Sequence, residues 1–78
     1  MDENRRSDVK PKYWIGFVPA TDDFGKVIED EFIDGKTRMG PWALMVPVSF
    51  RLKGVGLGEG RGQLYKKQED GKWLKIEG

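Results

Sequence analysis

The chain has 78 residues, 14 Lys and Arg against 13 Asp and Glu, and neither cysteine nor histidine. That composition excludes disulfides, thiol and imidazole catalysis, and the thiolate or imidazole ligands of an ordinary zinc site. At this length one small domain is expected, with a core so limited that it depends on tight packing or on a partner.

Charge divides along the chain. Residues 1–36 hold six Lys or Arg against nine Asp or Glu, about −3, and residues 37–78 hold eight against four, about +4. The basic C-terminal half is therefore suited to an acidic surface, although nucleic-acid binders are usually more basic overall. The polar start lacks the apolar stretch of a signal peptide, and the longest apolar run, Trp42 to Val48, is broken by Pro47. A protein without a membrane segment is expected, and freedom from cysteine fits the cytoplasm.

In chain order, residues 1–11 read as a disordered arm in which Arg5 and Arg6 can anchor a partner. Residues 12–78 read as one small β-rich domain. Tyr13-Trp14-Ile15-Gly16-Phe17-Val18 is aromatic and β-branched and stops at Pro19, so it predicts a first strand, with Tyr13, Trp14 and Phe17 as protein-contact candidates. Residues 27–34 and 36–45 predict a hairpin turning at Asp34-Gly35, a dipeptide suited to positive φ. The acidic run Glu29-Asp30-Glu31 reads as a solvated face.

Pro47 to Gly54 predicts about two helical turns, with Pro near the start, basic residues in the last turn and Gly at the stop. Glycines then alternate at 54, 56, 58, 60 and 62, a spacing that matches neither phosphate-loop pattern. It predicts instead a bare strip against which a ring such as Trp42 or Trp73 lies flat. Residues 63–68 and 72–76 around Glu69-Asp70-Gly71 predict a second hairpin. Trp14, Phe17, Phe32, Trp42, Phe50 and Trp73 are the expected core.

Acid and base chemistry would fall to carboxylates, Lys or Tyr, and neither Ser49 nor Thr37 lies in a nucleophile motif, so no enzymatic activity and no cofactor are expected. Binding is the leading function. One candidate surface comprises Arg38, Arg61, Tyr65, Lys66, Lys67, Lys72, Trp73 and Lys75, together with Trp42, Arg51 and Lys53. Cations meet phosphates and rings stack on bases in single-strand binders, which makes nucleic acid one possible partner. The same residue types anchor protein interfaces. A third possibility is an assembly role in which exposed strands of two copies pair.

The segments Asp34-Gly35-Lys36-Thr37-Arg38-Met39-Gly40-Pro41-Trp42-Ala43, Gly54-Val55-Gly56-Leu57-Gly58, Gly60-Arg61-Gly62-Gln63-Leu64-Tyr65 and Gly71-Lys72-Trp73-Leu74-Lys75 resemble a family of small proteins found mainly in phage genomes. In that family Cys-x-x-Cys-Gly-Lys stands where Thr21 to Lys26 stand here, and Cys-x-x-Cys or Cys-x-x-His stands at Val46 to Ser49. The resemblance, from about Thr21 to the end, implies a small β-rich α+β fold with zinc-ribbon-like β-hairpins, one short helix and no metal, because Thr21, Phe24, Val46 and Ser49 replace every ligand. In size, and as a tail joined to a compact body, the chain is also similar to small phage regulators of bacterial RNA polymerase. That likeness implies a regulator that docks on a host complex such as RNA polymerase and modulates transcription.

Overall fold

A computed structural model describes residues 10–78; the expected anchors Arg5 and Arg6, with most of the expected arm, lie outside the described residues. The fold is a small β-rich α+β arrangement of β1 (Glu31–Lys36), β2 (Trp42–Met45), one helix α1 (Pro47–Lys53), β3 (Gly62–Lys67) and β4 (Trp73–Glu77). The strands form one antiparallel sheet in the order β2-β1-β3-β4.

β1 is central, and its neighbours Phe32 and Ile33 point to opposite faces, yet both are buried. The sheet is therefore covered on both sides at its middle. On one face Phe32 meets Trp14 edge-on at 5.3 Å, stacks on Tyr65 at 5.3 Å and lies 5.1 Å from Trp73. Ile28, Val46, Val18 and Leu44 complete that cluster. Each aromatic pair adds about 0.5–1.5 kcal/mol beyond the area it buries, which matters in a domain with so few fully buried side chains. On the opposite face Ile33 pairs in register with Met45 and Leu64.

Several expectations change. The first hairpin forms, but its turn is at Thr37–Gly40, where Gly40 has φ +112° and donates to the Thr37 carbonyl at 2.9 Å. Asp34-Gly35 lies inside β1 instead. A turn at Asp34-Gly35 would set Ile33 against Lys36, whereas the observed register sets it against Met45 and buries both. Gly35 is needed for a different reason: it faces Gly62, and a Cβ there would come within 3.2 Å of the Gly62 Cα and 3.0 Å of the Arg61 carbonyl oxygen.

The expected strand Tyr13–Val18 shrinks to one bridge, Tyr13 to Leu74, held by Trp14 N–H to the Trp73 carbonyl at 2.9 Å and Lys75 N–H to the Lys12 carbonyl at 2.8 Å. Gly16, at φ +107°, turns the chain away after Trp14 has entered the core. Phe17, expected inside, is 84% exposed, and Trp42 is also exposed. The second hairpin forms as β3 and β4, as expected, with a bulge between Leu64 and Tyr65.

The helix begins with Pro47 at its first turn, and Gly54 N–H closes it on the Phe50 carbonyl at 2.8 Å. Ser49 faces inward, while Val48 and Leu52, four residues apart, share an outer face. The glycine stretch is a looped turn rather than an extended strip. Gly58 and Gly62 exchange backbone hydrogen bonds at 2.8 and 3.0 Å, and the side chain over Gly56 and Gly58 is the Arg61 guanidinium, not a tryptophan ring.

Both sheet edges are partly covered. The Lys12–Trp14 segment lies along β4, and at β2 Asp23 acts as a one-residue strand: its N–H donates to the Leu44 carbonyl at 3.1 Å, and its carboxylate accepts from the Leu44 N–H at 2.8 Å. Covered edges discourage strand pairing between copies.

Candidate functional site

A concave apolar surface lies where the β1–β2 turn meets the end of α1. Thr37, Arg38, Met39 and Pro41 supply one wall, Leu52 and Lys53 the other, Ala43 of β2 contributes between them, and Phe24 closes one end; the groove holds about 500 Å3.

Local chemistry fixes this geometry. Thr37, itself buried, donates both its N–H, at 3.0 Å, and its hydroxyl, at 2.8 Å, to the Pro41 carbonyl, so the turn is pinned across its base. Arg38 N–H donates to the Lys53 carbonyl at 2.8 Å and its Nε reaches the Gly54 carbonyl at 3.5 Å. The turn thus satisfies helix-end carbonyls that have no partner within the helix. Lys53 Nζ stands 5.4 Å from the Phe24 ring centre, a cation–π distance. Met39 is left 89% exposed and Leu52 67% exposed on the two rims.

Phe24 is placed by the tight loop from Thr21 to Val27. Asp22 organises that loop: one carboxylate oxygen accepts from the Phe24 and Lys26 N–H groups, both at 2.9 Å, and the other from the Val46 N–H at 2.9 Å. Burial pushes the Asp22 pKa up, but hydrogen bonds from Val46, Lys26, the Ser49 side chain and Phe24 outweigh it and hold the carboxyl below its ordinary value. Asp34 behaves in the opposite way, because burial raises its pKa without compensating donors. Tyr65 is also raised, by burial and then by the negative charge of Asp34. Among the described residues no group of three His, Cys, Asp or Glu side chains converges.

The residues singled out in the sequence are dispersed. Trp14 is committed to the core, whereas Tyr13 and Phe17 are open to solvent beside it. In the basic set Tyr65 and Trp73 pack in the Phe32 cluster, which occupies the rings intended for stacking. Lys66, Lys67, Lys72 and Lys75 lie on or next to the β3–β4 hairpin, with Lys67 Nζ 5.9 Å from the Trp73 ring and Lys72 Nζ 5.6 Å from the Tyr13 ring. Arg61 covers the glycine turn, and Arg38 belongs to the groove. Sequence reading missed Phe24, Met39 and Leu52. The available signal was Val48 and Leu52, an exposed apolar pair four apart on the helix.

No protein-family model, curated protein or solved structure matches the chain.

Proposed function

We propose that this chain is a non-enzymatic protein-binding module whose groove docks on a partner. The observation that carries the reading is the exposure of Met39 and Leu52 on the rims of a concave apolar surface whose shape is held by backbone bonds rather than by the exposed side chains themselves. Large apolar side chains around a preformed concavity are the usual material of interaction sites. A non-enzymatic role is supported by the two carboxylates with displaced pKa values. Asp22 is saturated by donors that hold the fold together, and Asp34 lies within the sheet, paired in register with Leu44 and Gln63.

The finer fold assignment, a zinc-ribbon-like scaffold that has lost its metal, is also a proposal. It is supported by Asp22, whose carboxylate ties the Thr21–Lys26 loop to Val46 and Ser49, the two segments where the phage family that this chain resembles carries its ligands. The separate similarity in size and outline to small phage regulators of bacterial RNA polymerase supports a host complex as the partner, RNA polymerase being the first to try, and regulation of transcription as the role.

The test is capture from bacterial lysate by the immobilised wild-type chain and by Leu52→Asp. Leu52 is exposed, so the variant is expected to fold within about 0.5 kcal/mol of wild type. A host complex retained by wild type and lost with Leu52→Asp supports the reading, and RNA polymerase subunits in that fraction support its narrower form. Equal capture by both chains overturns the groove as the docking surface.

A further inference from the structure

We infer that the groove between Met39 and Leu52 takes a short acidic peptide segment with a large apolar pair at its centre. The inference rests on the protein-docking reading above and adds the chemistry of the partner.

The apolar half follows from shape. A space of about 500 Å3 lies within the range of sites that enclose a ligand group. Its rims come from different elements, Met39 from the β1–β2 turn and Leu52 from α1, so an inserted side chain touches both at once.

The charged half follows from what lines the groove. Among the described residues, Arg38 and Lys53 are its charged lining residues, and no carboxylate lines it. Among the described residues, each cation is held in place by a partner other than a carboxylate. Arg38 Nε is spent on the Gly54 carbonyl, which orients the guanidinium, and Lys53 Nζ lies over the Phe24 ring. Two oriented cations beside apolar surface complement Asp or Glu residues that flank an apolar anchor. A nucleic acid would bring phosphates to the same cations, but its bases would need free rings. Among the described residues, Phe24 is the one aromatic residue in the lining, and Lys53 already faces it.

Fluorescence anisotropy with the full chain tests this. The probes are a labelled peptide with Leu-Phe flanked by Asp and Glu, its Lys-flanked counterpart, an acidic version with Ala-Ala at the centre, and a labelled single-stranded oligonucleotide. The acidic apolar peptide is expected to bind saturably and the other three not. Reversal of charge in Arg38→Glu/Lys53→Glu is expected to weaken that binding at least about tenfold, with circular dichroism confirming that the variant folds. Leu52→Asp is expected to abolish it. Equal binding of the Lys-flanked or Ala-Ala peptide, displacement of the acidic peptide by the oligonucleotide, or an affinity untouched by charge reversal overturns the inference. If no peptide binds while lysate capture still depends on Leu52, this inference fails and the docking reading stands; if both fail, both fall.

Discussion

The Asp22 carboxylate accepts the Val46 N–H at 2.9 Å across 24 residues of chain, inside the protein. Through this bond the loop that carries Phe24 is fixed to the start of α1, and with it the end of the groove. One carboxylate thus joins the two segments by accepting hydrogen bonds from both.

Asp22→Ala removes the acceptor for the Val46, Phe24 and Lys26 N–H groups and leaves the first of these buried without a partner. A loss of about 3 kcal/mol is expected, the range for charge-assisted bonds whose donors are then stranded. Urea unfolding measures it. Asp23→Ala, which removes only the exposed bond to Leu44, is expected to cost about 1 kcal/mol.

The pH dependence of stability carries two opposed signatures. The folded pKa of Asp22 is below the ordinary 3.8, so its contribution is present above that value and is lost as pH falls through the lowered folded value. Asp34 has a folded pKa above 3.8, so its ionisation penalises the fold. The penalty sets in as pH rises past 3.8 and is complete once pH exceeds the raised value. Asp34→Asn is therefore expected to melt above wild type at neutral pH, with the gain vanishing in acid. Asp22→Asn is expected to melt below wild type at neutral pH, with the deficit shrinking in acid.

Phe32 has no exposed surface and meets the rings of Trp14, Tyr65 and Trp73. Phe32→Ala is expected to cost about 3–5 kcal/mol. Since whole domains have only about 5–15 kcal/mol, a large unfolded population follows, visible as a red shift of tryptophan emission.

The metal-loss proposal predicts that EDTA leaves the melting temperature of the wild-type chain unchanged. It also predicts that Thr21→Cys, Phe24→Cys, Val46→Cys and Ser49→Cys, introduced together, create a tetrahedral site. Cobalt titration is expected to give the thiolate charge-transfer bands of such a site at one ion per chain. A quadruple variant that binds no metal would falsify the assignment.

What residue order alone determined is local. The β3–β4 hairpin follows from alternation around Glu69-Asp70-Gly71, and α1 from Pro47 at one end and Gly54 at the other. Both depend on backbone chemistry that acts over a few residues. The position of the first turn was not legible, because Asp34-Gly35 and Thr37–Gly40 each suit a turn, and the choice rests on Ile33 finding Met45 and Leu64. The aromatic run Tyr13–Val18 carries strand-forming residues, yet the folded sheet offers it only the edge of β4, where one bridge forms and Trp14 is drawn into the core. The groove was equally hidden: Phe24, Met39 and Leu52 are far apart in sequence, and long-range bonds, Asp22 to Val46, Asp23 to Leu44 and Arg38 to the Lys53 carbonyl, bring them to one surface. Such long-range bonds are selected by the burial they permit jointly, a property of the whole fold and not of any segment within it.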